Sequence, residues 1–160
     1  MDWLIVFLAN YLILVIGLLA VFVGYKTGKR REFILTVVMA GILALDLVAI
    51  AGALYYNPRP FVSQNIEPLI SHGPDNGFPS QHTVVAATLT AIIYFYGRRL
   101  VLAAFILTLL VGAGRVWAHV HSWIDILGGL AVGAVAGYAG FVLAKFVLSK
   151  LSAKRQANRR

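Results

Sequence analysis

Apolar residues fill this chain in five long stretches, approximately 3–24, 33–55, 79–96, 100–116 and 126–148, and polar residues gather in the gaps between them. A helix needs about 20 apolar residues to cross a hydrocarbon core about 30 Å thick, so each stretch reads as a transmembrane span. The fourth is the shortest and is expected to be tilted or to thin the bilayer around it. The pattern predicts an all-α integral membrane helical bundle of about five transmembrane helices, with one transmembrane domain over 1–148 and a basic tail over 149–160. The first stretch reads as a span rather than a cleaved signal peptide. Met1 and Asp2 bring no positive charge to its start, and its apolar length exceeds that of a signal sequence.

Composition supports the same solvent. Hydrophobic residues make up 60% of the 160 and charged residues 12%, with a mean hydropathy of +0.82, whereas soluble domains carry about 25% charged residues. A soluble enzyme is excluded on these grounds. The net charge of +8 does not indicate a nucleic-acid partner either, because too few polar residues are present to build a solvated basic surface.

Where that charge falls is more informative. Lys26, Lys29, Arg30 and Arg31 lie in the first connector, Arg98 and Arg99 in the third, and Lys150, Lys154, Arg155, Arg159 and Arg160 in the tail. By the positive-inside rule these three segments are cytoplasmic, which predicts the N-terminus outside and the C-terminus inside. The tail reads as a solvated basic end within reach of anionic lipid headgroups. The outer face then holds two basic residues, Arg59 and Arg115, and all four histidines, His72, His82, His119 and His121. With no cysteine in the chain, disulfide, iron–sulfur and thiolate chemistry are absent.

Three groups of outer residues sit where spans meet the interface: Asn57-Pro58-Arg59-Pro60, Phe78-Pro79-Ser80-Gln81-His82, and the run from Arg115 to Asp125. Two arginine forks flanking one pocket suit phosphate oxygens. Pro79 suits the first position of a helix, whose start offers unpaired N–H groups and the positive end of its dipole to an anion. His82, in that first turn, can donate a proton to a leaving oxygen near neutral pH. His121 and Asp125 are four apart and share a face if both are helical, so the carboxylate can orient the imidazole as a nucleophile. Each feature alone also has an ordinary reading: an arginine snorkelling to lipid, a histidine capping a helix, a structural Asp–His pair. His119 with His121 forms an H-x-H pair, a weak metal signal without a third ligand.

The combination is specific. Arg59-Pro60, then Pro79-Ser80-x-His82, then Arg115-x5-His121-x3-Asp125 resembles the type 2 phosphatidic acid phosphatase superfamily of membrane lipid phosphatases. The strings RPFV and FPSQHT are similar to its undecaprenyl-diphosphatase branch, associated with bacitracin resistance. The resemblance implies that His121 attacks phosphorus to give a phosphohistidine, that Asp125 orients it, and that His82 protonates the leaving oxygen and then activates water. It assigns the phosphate oxygens to Arg59, Ser80, Arg115 and the backbone near Gln81. It implies no metal ion and no cofactor, a lipid phosphate or diphosphate substrate among membrane lipids, and a bacterial cytoplasmic membrane location with the site facing the extracytoplasmic side. The oligomeric state is left open.

The chain departs from the family pattern at Gly52, where Lys is usual, at Gln81, where Gly is usual, and at Gly114, where Ser is usual. Six spans are also commoner than five. Gln81 is expected to lay an amide over the pocket. Asp46, mid-span, is expected to be neutral and hydrogen-bonded to another span, with a proton path as the alternative. Gly129, Gly133 and Gly137 form one smooth helical face for close packing or for a lipid-tail groove. Other lipid substrates, namely phosphatidate, phosphatidylglycerophosphate or a lipid A phosphate, are compatible with the motifs. A small anion transporter or channel subunit is the rival class, and it should carry polar groups through the bilayer midplane, where Asp46 is the lone ionisable residue.

Overall fold

The computed structural model describes residues 2–158, apart from the Arg155 side chain. Arg159 and Arg160 of the basic tail lie outside the described residues. The regular elements are α1 (Asp2–Lys26), α2 (Arg30–Leu54), a short α3 (Pro60–Ser63), α4 (Gln81–Tyr96), α5 (Val101–Trp117) and α6 (Trp123–Ala157). The fold is all-helical, with one isolated bridge joining Pro58 to Asn76.

Four helices are long and apolar enough to cross a membrane: α1, α2, α5 with the turn before it, and α6. The remaining long helix, α4, has 16 residues, about 24 Å at 1.5 Å per residue. It is also the helix that the others surround, packed by α1, α2, α5 and α6. That position explains its threonines, whose hydroxyls are satisfied internally. Thr88 donates to the Val84 carbonyl at 2.8 Å, and Thr90 pairs with Thr108 at 2.8 Å.

Helix ends differ from the sequence expectation at two places that matter. Pro79 does not occupy the first helical position of α4, which starts at Gln81 with Ser80 as its N-cap. The Ser80 N–H donates to the Asp125 carbonyl at 3.1 Å, which ties residue 80 to α6 and holds it extended. The second difference is α6, which begins at Trp123 and runs to Ala157. A capping box starts it early: the Ser122 side chain and the Asp125 carboxylate each accept from the other's backbone. Beyond Leu148 the chain has no Gly or Pro, so strong helix formers carry the helix through the expected tail.

The glycine face of α6 is filled from within the monomer. A Cβ on Gly129 would meet Thr83 Cβ at 2.8 Å and the Ser80 carbonyl at 2.9 Å, and one on Gly133 would meet Ala87 Cβ at 2.6 Å. Gly137 lies against Ala91. The face therefore serves close packing on α4 and is no lipid-tail groove. Asp46 lies exposed on α2, so the expected bond to another span of the bundle is not made.

The helix ends sort into two groups. Tyr25 to Glu32 line a cleft with Leu148, Leu151 and Ser152 at one end. The opposite end gathers the starts of α1, α4 and α6 with the ends of α2 and α5. There α1 contains a π-turn, Phe7–Tyr11, seated on Gly114 of α5. A Cβ on Gly114 would come 2.7 Å from the Ala9 nitrogen, so glycine at this position admits the backbone of α1.

Candidate active site

His121 lies in the turn between α5 and α6, where His119 at φ 62° reverses the chain. The Val120 and His121 N–H groups both donate to the Arg115 carbonyl at 3.3 Å, and His121 is 3% exposed. Because α6 starts at Trp123, His121 and Asp125 do not share a helical face as expected. They meet because His121 immediately precedes the N-cap while Asp125 is the capping-box acid, which folds back over the helix start. Their separation, Nδ1 to Oδ2, is 3.5 Å, and Nδ1 has no closer protein partner. This is long for a hydrogen bond, and catalytic contacts of this kind commonly shorten when substrate binds.

The tautomer follows from the other nitrogen. Arg59 Nη1 stands 3.2 Å from His121 Nε2. A guanidinium can only donate, so Nε2 accepts and the ring proton belongs on Nδ1, facing Asp125. Burial, opposed by the nearby Asp125 carboxylate, and the positive charges of Arg115 and Arg59 hold His121 below the ordinary imidazole value. The ring is neutral at neutral pH, with the Nε2 lone pair turned to Arg59.

Asp125 is fully buried and well held. Its Oδ2 accepts from the Ser122 N–H at 2.7 Å, and its Oδ1 accepts from Asn57 Nδ2 at 2.8 Å. The same Asn57 amide donates to Ser122 Oγ at 2.7 Å, so one side chain after α2 braces both halves of the capping box.

The two arginines come from different directions. Arg59, 5% exposed, donates through Nε to Asp75 at 2.7 Å and through Nη1 to the Val120 carbonyl at 2.9 Å. That bond to Arg59 is the main reason the Asp75 carboxyl is held below the usual carboxylate range. Arg115, 2% exposed, donates through Nη1 to Asn10 Oδ1 at 3.1 Å, and its Nε is buried with no protein partner. A buried donor without a partner costs about 1–3 kcal/mol, which an oxyanion in the pocket would recover.

Ser80 is fully buried at the start of α4, where its Oγ accepts from Thr83 Oγ1 at 3.1 Å. His82, one residue into the helix and half-buried, has Arg115, His121 and His72 as its electrostatic neighbours. Gln81 departs from expectation. Its side chain lines an apolar cleft between α2 and α4 with Ala44, Val48 and Val84, and only its backbone stands at the helix start.

The structure accounts for the other two departures as well. At Gly52 the carbonyl accepts from Asn76 Nδ2 at 3.0 Å, and a Cβ would lie 3.2 Å from the Phe78 carbonyl, so the position is closed over. Gly114 is the seat of α1 described above, and that seating brings Asn10 to Arg115. His119 is exposed while His121 is buried, so the two do not converge as a metal pair. Among the described residues no group of three or more His, Asp or Glu could hold a metal ion.

Sequence reasoning did not assign Asn10, Asn57, Asn76 or Ser122 to the site. The sequence does contain signals for two of them: Ser122-x-x-Asp125 has the capping-box spacing, and Asn10 is an amide within an apolar run. Asn57 and Asn76 carried no signal beyond their proximity to the motifs.

An oriented neutral imidazole, a second histidine at a helix start and two buried guanidinium groups thus gather at one end of the bundle, a set of groups suited to a phosphate oxyanion. Residues 31–148 match the PAP2 superfamily, and the chain belongs to it; it is a lipid phosphatase of a multi-pass membrane type. It is 30% identical over 142 residues to the undecaprenyl-diphosphatase BcrC of Bacillus subtilis (strain 168), covering 88% of this chain and 74% of that protein. With the bacitracin transport permease protein BcrC of Bacillus licheniformis it shares 32% identity over 132 residues, covering 81% of this chain and 65% of the relative, just under two thirds of its length. Among solved structures, Aquifex aeolicus LpxE superposes with a TM-score of 0.69 at 24% identity, covering 88% of this chain and 86% of that one. The PAP2-type phosphatidylglycerolphosphate phosphatase of Bacillus subtilis gives a TM-score of 0.56 at 22% identity, covering 92% and 74%. The two structures support the fold.

Proposed function

We propose that this phosphatase hydrolyses undecaprenyl diphosphate to undecaprenyl phosphate and phosphate, on the extracytoplasmic side of a bacterial cytoplasmic membrane. The observation that carries the reading is the contact of His121 with Arg59, beside the positive charge of a buried Arg115 whose Nε has no protein partner. The 30% identity to an undecaprenyl-diphosphatase over most of the chain supports the choice of lipid. Segregation of the basic connectors to the end opposite the site supports the side. An apolar cleft of about 390 Å³ between α2 and α4, with Gln81 at its site end, offers a polyprenyl chain a route from the bilayer.

In this mechanism His121 Nε2 attacks the terminal phosphorus as the P–O bond to the lipid phosphate breaks. His82 gives its proton to the departing oxygen. Asp125 steadies the Nδ1 proton as positive charge develops on the ring, and Arg59 and Arg115 take the equatorial oxygens, where charge stabilisation by preorganised donors is strongest. His82, now neutral, removes a proton from water, which cleaves the phosphohistidine and restores both histidines.

The test is phosphate release by purified protein in detergent with EDTA present, comparing undecaprenyl diphosphate, phosphatidate and phosphatidylglycerophosphate. The highest kcat/KM is expected for undecaprenyl diphosphate. A preference for either monoester would reassign the substrate.

A further inference from the structure

One titratable side chain at the site has no role in the chemistry above: His72. The loop carrying it is anchored on both sides. Before it, the Leu69 N–H donates to the Ala118 carbonyl at 3.2 Å, and Ile70 is buried with Ala9, Ala118 and Val120. After it, Asp75 accepts from Arg59, and the Asn76 side chain bonds to Asn57, Phe78, Gly52 and Tyr55. The segment between these anchors carries the His72 ring to His121, edge to face, with centroids 6.1 Å apart and planes at 79°. Arg59, Arg115, His121, His82 and Asp75 are the ionisable groups around it.

Burial and the two arginines push His72 down to about 4, so it is neutral at neutral pH in the empty site. A phosphate dianion placed among Arg59, Arg115 and His121 offsets those positive charges and favours a proton on the ring. Its place beside the nucleophile, on a loop pinned at both ends, therefore has a chemical use.

We propose that His72 is a substrate-contacting residue that donates a ring N–H to an oxygen of the phosphate held between Arg59, Arg115 and His121. The inference rests on the phosphatase reading of this site and adds a donor from the loop to those supplied by the helix ends. Its ligand chemistry is a phosphate oxyanion, met as the headgroup of the lipid or as the released orthophosphate.

Orthophosphate binding to the purified protein in detergent, followed by calorimetry, tests the contact without requiring turnover. His72→Ala should weaken binding about tenfold or more, the size expected for a hydrogen bond to a charged group. His72→Gln, which keeps an N–H donor, should recover part of that loss, and the thermal midpoint of both variants should match wild type. The gain in wild-type affinity as pH falls below the ordinary imidazole value should shrink in both. KM for the lipid should rise in His72→Ala more than kcat falls, which extends the contact from the free product to the headgroup. Binding as tight as wild type in both variants would overturn the proposal, as would equal losses in Ala and Gln together with a lowered thermal midpoint. A wild type that binds orthophosphate but releases none from any lipid would defeat the phosphatase reading, leaving the titration to decide the His72 contact separately.

Discussion

At one end of the bundle Lys26, Lys29, Arg30 and Arg31 line an open cleft against Leu148 and Leu151, while at the other Arg59 and Arg115 are 5% and 2% exposed. The first group is numerous and solvated, and individual exposed charges of that kind contribute little energy. The second is sparse and buried, and each guanidinium is aimed by named acceptors: Asp75, Val120 and Asn10. On the proposed reading the excess of positive charge sets orientation, and the two buried arginines bind the anion. Geometry distinguishes the two ends more than charge does.

The strongest way to break the contrast is to remove the nucleophile. His121→Ala should lower kcat by about 10⁴-fold or more, as loss of an essential nucleophile does, whereas Arg98→Gln at the basic end should leave kcat unchanged in steady-state assays. Next comes the anion clamp. Arg115→Lys should reduce kcat by about 10²–10³-fold, the scale for losing one transition-state donor, because lysine's donors all sit on one nitrogen and cannot reach both Asn10 and the place of the Arg115 Nε. Asn57→Ala leaves a buried oxygen of Asp125 without its donor, so kcat/KM should fall by about 10–100-fold, from the about 1–3 kcal/mol cost of an unsatisfied buried group. KM should move little in that variant, since Asn57 faces Asp125 and not the substrate. The smallest effect is on pH. His121 must be unprotonated to attack and its folded value lies below 6.5, so the acid limb of kcat/KM should fall below that value. Asn57→Ala should shift this limb, because it alters the carboxylate that bonds the ring.

The bundle was legible because helices surrounded by lipid or by one another read as uninterrupted apolar runs, and the five runs correspond to the five long helices, four of them long and apolar enough to span and α4 enclosed by the rest. Their ends were less legible, since caps depend on tertiary bonds. Ser80 is kept out of α4 by the Asp125 carbonyl, and the extension of α6 follows from helix propensity in residues with no apolar pattern. At the site the three motif blocks were visible as residue types, and the structure brings their side chains to one end. What escaped was the support. Asn57 sits 68 residues from the carboxylate it braces, and Asn10 sits 105 residues from Arg115. No local pattern reports a partner at that separation. Glycine at 52 and 114 read as missing side chains, yet in the fold Phe78 and Ala9 occupy the space those side chains would need.

The central claim is covalent catalysis by His121, and rapid acid-free quenching of the protein with lipid diphosphate labelled in its terminal phosphate tests it directly. Label should appear on His121 as an acid-labile phosphohistidine, be absent in His121→Ala, and form more slowly but decay more slowly once formed in His82→Ala, which lacks both the acid for the first step and the base for the second. Turnover at the wild-type rate with no labelled protein, or with the label on another residue, would contradict the account.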